Sequence, residues 1–205
     1  AGEDSVVLEW REDASGLPAK PIEASKEFYG IGLTRSQNLT VIHSDGSCTH
    51  FVEFELPAFQ QEEFRMRLPA DSRLISASVD GTEIPLPNLE NQLCRIRLPE
   101  RGPQQTARSL SFRLSYPRVN LGFIGSMELP LPELFQTTGT LEWIVALPNG
   151  FDTQVLSSGL DLQKTAPDLA RFGEYGRVLK SHPQTYLAKT LAPPGASALN
   201  LKYRQ

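Results

Sequence analysis

The sequence predicts an all-β protein: an antiparallel β-sandwich with Greek-key or immunoglobulin-like connections and one short helix or structured loop near residues 165–181. Three observations predict it. Apolar and polar residues alternate with period two in run after run, as strands with one buried face require. Leu-Pro pairs stop those runs, and proline, lacking an N–H for the ladder, belongs at strand ends and edges. Two Asp-Gly pairs, Asp45-Gly46 and Asp80-Gly81, suit two-residue hairpin turns, where positive φ is needed.

Taken along the chain, the first run is SVVLEW, where Val6, Leu8 and Trp10 share a face. Arg11 to Ile31 is rich in turn formers and reads as loop. NLTVIHS and SCTHFVEFELP then flank Asp45-Gly46, and the second run halts at Leu56-Pro57. In EFRMRLP, Phe64, Met66 and Leu68 alternate with Arg65 and Arg67, and Pro69 follows. SRLISASVD leads into Asp80-Gly81. In LCRIRLP, Cys94, Ile96 and Leu98 alternate with Arg95 and Arg97 before Pro99. SLSFRLSY places Leu110, Phe112, Leu114 and Tyr116 on one side, with Arg113 on the other. FIGSMELP ends at Leu129-Pro130, and TLEWIVALP, with Leu141, Trp143, Val145 and Leu147 together, ends at Leu147-Pro148. TYLAKTLA and ALNLKY are the last strands. Before both, residues 164–183 break the pattern. Thr165 is placed to cap a short helix with Pro167 in its first turn, while Gly173 and Gly176 weaken it by about 1 kcal/mol each.

With 40% hydrophobic and 21% charged residues, the composition is that of a folded globule. The reading is one β-sandwich unit over residues 1–205, with two docked halves divided near 117–120 as the alternative. A net charge of −4 argues against general nucleic-acid affinity, which needs a basic face to displace counterions. No apolar run reaches the ~20 residues that span a bilayer. The chain begins at Ala1, so the expectation is a processed form or an excised piece. That start, the all-β character and a finish close to a strand favour an extracytoplasmic setting: periplasmic, cell-surface or secreted. The triplet Asn38-Leu39-Thr40 matches a glycosylation acceptor.

The densest chemistry is VIHSDGSCTH. A two-residue turn at Asp45-Gly46 sets His43 opposite Cys48 and Val41 opposite His50, so that His43, Cys48 and His50 share one side. These three suit zinc or copper as a candidate metal set. The same side carries Leu39, Val41, Val52, Phe54 and Leu56, which favours packing histidines and a buried thiol, with no cofactor, over a metal centre. A Cys48–Cys94 disulfide, closing about 45 residues for ~3–4 kcal/mol, is weighed against two separate thiols. No G-x-S-x-G, H-E-x-x-H, P-loop or G-x-G-x-x-G occurs, and Glu62-Glu63, adjacent on a strand, point to opposite faces.

Glu53 and Glu55 with Arg65, Arg67, Arg95, Arg97 and Arg113 suggest an acidic–basic ladder if their strands are neighbours. The reading favours a solvated face over an anion-binding arginine strip. The best candidate ligand surface is the 164–183 excursion, through Arg171, Tyr175, Arg177 and His182. The expected role is therefore a non-catalytic binding or structural module with a protein or glycan partner. The alternatives are a carbohydrate-binding module and a metal-dependent enzyme or metal-binding protein centred on the 43–50 hairpin.

Overall fold

The computed structural model describes residues 31–57, 63–98, 107–165, 172, 176, 179 and 182–205. Their strands are β1 (Ile31–Ile42), β2 (Cys48–Leu56), β3 (Glu63–Arg67), β4 (Arg73–Val79), β5 (Thr82–Glu83), β6 (Leu93–Arg97), β7 (Arg108–Tyr116), β8 (Ile124–Pro130), β9 (Glu133–Leu134), β10 (Thr137–Ala146), β11 (Asp152–Ser158), β12 (Asp161–Leu162), β13 (Gln184–Ala192) and β14 (Ala198–Arg204). The protein is all-β. Eight strands form one large sheet in the order β12–β13–β10–β1–β2–β7–β4–β5. Two three-stranded sheets, β11–β14–β8 and β6–β3–β9, complete the set.

The small sheets pack on one face of the large one. Phe64 of β3 meets Phe54 of β2 and Phe112 of β7 at ring-centroid distances of 5.0 and 5.8 Å. Thr153 of β11 reaches Thr185 of β13, Oγ1 to Oγ1, at 3.1 Å. A single buried cluster draws on all three sheets, from Leu33 to Tyr203. Val119 and Leu121, at the seam considered near 117–120, pack against it. The alternations read from the sequence select the buried sides of β3, β6 and β7: Phe64 and Met66, Cys94 and Ile96, and Leu110, Phe112, Leu114 and Tyr116. Arg65, Arg67, Arg95, Arg97 and Arg113 are exposed.

One ladder departs from the antiparallel expectation. β1 and β10 run parallel, with Asn38 beside Trp143 and Thr40 beside Val145. Parallel strands at the middle of a sheet are commonly covered on both faces, so they read as continuous apolar runs. β10 does so: residues 143–147 are all buried. Trp143 and Val145 join the main core, while Ile144 and Ala146 form a second cluster on the outer face with Leu39, Val41 and Leu179. Phe172, Phe51 and Tyr186 pack around that cluster. The helix or loop expected near 165–181 lies mostly outside the described residues; of it, Phe172 and Leu179 pack on the outer face of β1 and β10.

The acidic–basic ladder is not formed as drawn. Glu53 and Glu55 of β2 face Gln37 and Arg35 on β1, and Ser111 and Ser109 on β7. Arg65 and Arg67 belong to a different sheet, where β3 pairs with β6 and β9. The two Asp-Gly turns also differ. Asp80 and Gly81 both have positive φ (50° and 77°), and Val79 pairs with Thr82 across a two-residue turn. At Asp45-Gly46 only Gly46 does (77°), and the loop is one residue longer.

Candidate functional site

That extra residue rearranges the hairpin. The His43 N–H donates to Ser47 O at 2.8 Å and the Gly46 N–H to His43 O at 2.9 Å, leaving Ser44, Asp45 and Gly46 as the loop. Ile42 therefore faces Cys48 and Thr40 faces His50. A slip of one residue turns a strand's side chains to the opposite face. Cys48 and His50 stay on the core side with Thr40 and Ile42. His43 lies on the outer side, exposed, its Nε2 3.3 Å from Thr49 Oγ1. The placement of all three metal candidates on one side is thus corrected. Among the described residues, no group of three His, Cys, Asp or Glu side chains is placed to hold a metal ion. Two features hold the longer loop. Asp45 Oδ1 accepts from the Ser47 N–H (2.9 Å) and hydroxyl (2.6 Å), and the Val119 N–H donates to Gly46 O at 2.8 Å.

Turned inward, His50 enters a buried polar chain. The Trp143 Nε1–H donates to Thr40 Oγ1 at 2.9 Å, and Thr40 Oγ1 lies 2.8 Å from His50 Nδ1. The hydroxyl accepts from the indole, so its one proton is available to Nδ1, which leaves the imidazole proton on Nε2. Burial lowers the His50 pKa from 6.5 to about 3, so the ring is neutral at pH 7. The ring stacks on Tyr116 at 5.1 Å, and neither His50 Nε2 nor the Tyr116 hydroxyl has a hydrogen-bond partner. Cys48 and Cys94 are free and buried, on strands of different sheets, so the bridge considered between them is not formed. Burial pushes both thiols up to about 12, suppressing the reactive thiolate.

Of the candidate ligand residues, Arg171, Tyr175 and Arg177 lie outside the described residues. His182 is half-buried, its N–H donating to Leu179 O at 3.0 Å. Among the aromatics, Trp10, Phe28, Tyr29 and Phe59 are also outside the described residues, while Trp143 is wholly buried and offers no sugar platform. Asn38 of the glycosylation triplet is buried too. Its Nδ2 donates to Ser36 Oγ and Glu142 O at 2.9 and 3.1 Å, so the acceptor nitrogen is enclosed in the core.

A charged groove of about 280 Å³ on the outer face includes Arg35, Gln37, Glu53, Glu55, Asp80 and Ser109. Most of its groups are already tied together. Arg35 Nε and Gln37 Nε2 each donate to Glu142 Oε2 at 3.0 Å, and the Ser109 hydroxyl donates to Glu53 at 2.9 Å. The Ser109 N–H donates to Asp80 at 2.9 Å. Sequence reading missed the Arg35–Glu142 pair because it joins strands 107 residues apart.

The features left unsatisfied are sheet edges. β8 and β6 are terminal strands of the two small sheets, each paired on one side only among the described residues. At the start of β8, Ile124 is 69% exposed and the preceding Phe123 79%. On the outer face of the other sheet, Arg65 of β3 stands directly opposite Arg95 of β6, and Glu63 opposite Arg97. Arg65 bonds Glu63 at 2.7 Å, holding that carboxyl below its ordinary pKa. Arg67 bonds Glu133 at 2.7 Å and lies 5.4 Å over the Phe135 ring. Arg95 and Arg97 make no ion pair among the described residues.

No protein-family model matches the chain, and no curated protein matches it. Solved structures similar to it include an M1 zinc metallopeptidase from Deinococcus radiodurans, with TM-score 0.49 and 12% identity over 82% of this chain and 41% of that one. A substituted form of that enzyme bound to a Tyr-Ser-Ala substrate gives 0.48 and 11%, with 82% and 41% covered. A candidate protease from Parabacteroides distasonis gives 0.45 and 13%, with 82% and 39% covered. The chain spans about two fifths of the length of these solved chains. Among the described residues, no helix is long and apolar enough to cross a membrane.

Proposed function

We propose that the chain is a non-catalytic binding module that takes a polypeptide partner by strand addition. The observation that carries this reading is the pair of half-paired edges at β6 and β8. A strand edge presents a row of N–H and C=O groups that an extended segment can complete, and natural proteins usually blunt such edges. β8 is seven residues long, carries one charge, Glu128, and starts at exposed Ile124, next to exposed Phe123. The proposal keeps the extracytoplasmic setting. Buried thiols held as the neutral form are compatible with an oxidising compartment, because oxidation proceeds through exposed thiolate.

The test is selection of a displayed random-peptide library on the immobilised chain. Enriched peptides should alternate apolar and polar residues and slow amide exchange along β6 or β8. A selection that enriches nothing, or binders that leave both edges exchanging as before, would contradict the reading.

A further inference from the structure

We propose that the β6 edge selects an acidic strand: an extended polypeptide segment with Asp or Glu at every second position and apolar residues between. This rests on the strand-addition reading and names the partner for one of its two edges. The first ground is charge. The chain carries a net −4, yet one face of the β6–β3–β9 sheet gathers Arg65, Arg67, Arg95 and Arg97, with Glu63 and Glu133 as their ion-pair partners among the described residues. The two carboxylates form their ion pairs with Arg65 and Arg67, and Glu63 acts on Arg95 only at longer range, so the two arginines without an ion pair among the described residues, Arg95 and Arg97, fall on the terminal strand. The second ground is register. Arg95 and Arg65 are directly opposite, with Cβ atoms about 5 Å apart, a like-charge pair that destabilises a sheet; Glu63 acts on both but bonds only Arg65, so a further anion at Arg95 would relieve it.

The third ground is spacing. Arg95 and Arg97 are two residues apart on one strand, about 7 Å, which is the spacing of alternate side chains on an added strand. Acidic residues of such a strand would lie opposite the arginines on the outer face. Its apolar residues would extend the layer of Cys94 and Ile96, both buried. An edge of this kind rejects a second copy of itself, arginine against arginine, while accepting an acidic strand, so repulsion and attraction both contribute to specificity.

The probes are synthetic peptides of about nine residues. One alternates Glu and Val, a second alternates Lys and Val, and a third holds the Glu and Val residues in two blocks. Binding is read by fluorescence anisotropy, and location by amide exchange. The Glu-Val peptide should bind, protect the β6 amides, and outbind the blocked peptide. R95Q with R97Q should weaken it about tenfold or more, and R95E with R97E should shift preference to the Lys-Val peptide. Both variants should stay close to the parent's melting temperature, since both side chains are exposed, and in the charge-reversed variant R95E removes a like-charge contact with Arg65 while R97E sets a carboxylate opposite Glu63. Failure of the Glu-Val peptide to bind at millimolar concentration overturns the inference, as does binding indifferent to R95Q and R97Q. Protection of β8 alone also overturns it but leaves the strand-addition module standing. A sulfated polysaccharide that displaces the peptide without protecting β6 amides, and at equal or lower charge concentration, would show a simple polyanion surface and overturn the strand requirement.

Discussion

Acid should destabilise this protein through one buried histidine. His50 is inaccessible to solvent, and its pKa falls from 6.5 when unfolded to about 3 when folded. Between those values the unfolded chain binds a proton that the folded chain refuses. Stability is therefore complete above pH 6.5, declines as pH falls, and the contribution is lost below pH 3. The full difference is about 5 kcal/mol, at about 1.4 kcal/mol per unit, and by pH 4 about 3 kcal/mol is gone. That is a large share of the roughly 5–15 kcal/mol that holds a domain folded. Carboxylates titrate in the same range, so the measurement is a difference. Urea unfolding of the parent and of His50→Asn at pH 7, 6, 5 and 4 isolates the histidine, because the Asn oxygen can still accept from Thr40 and does not titrate. The parent should lose about 3 kcal/mol more than the variant between pH 7 and 4. Equal losses within about 0.5 kcal/mol would refute the reasoning, since additivity at independent sites is good to that level.

Three further outcomes follow from the same geometry. Thr40→Val leaves the Trp143 indole N–H and His50 Nδ1 without their shared partner, and should lower stability by about 2–4 kcal/mol in chemical unfolding. Gly81→Ala meets only the positive-φ penalty of about 1–2 kcal/mol, since no atom lies within 4 Å of the added carbon. Gly46→Ala, at the same φ, also drives a carbon into Val119 O, so its loss of stability should exceed that of Gly81→Ala in the same assay. A thiol reagent should modify neither cysteine among Cys48 and Cys94 in the native protein and both after unfolding without reductant. No modification after unfolding would mean a bridge.

How much of this was legible in the sequence depends on range. The faces of β3, β6 and β7 follow from strict alternation, and the Leu-Pro pairs mark strand ends: β2 ends at Leu56 and β8 at Pro130, while β3 and β10 stop one residue before Leu68 and Leu147. β11 escaped notice because it is a poorly covered edge strand: its exposed and half-buried positions alternate only as far as a bulge after Val155, and none is fully buried. The parallel pairing of β1 with β10 was hidden for another reason: it joins segments about a hundred residues apart, and nothing local encodes it. His43 was placed on the wrong face by a one-residue error in the loop, while His50 keeps the core side read for it. An Asp-Gly pair serves both a two-residue turn and a longer loop ending in glycine, and the choice here rests on Asp45 capturing Ser47 and on the distant Val119. Ile42 and Phe51, which spoiled the alternation under the shorter turn, were the available signal. With the longer loop Ile42 enters the core, and Phe51 joins the second cluster under Phe172 and Leu179. The arginines of β3 and β6 were legible as outward, but their opposition across the ladder was not.

The central claim is that β6 and β8 are open edges. Residue-resolved amide exchange on the free protein tests it most directly. Along both strands, amides bonded to β3 or β14 should be protected, and the alternate amides facing away should exchange as fast as those of exposed loops. Uniform protection along both strands would mean that the edges are already paired, and the strand-addition account would be wrong.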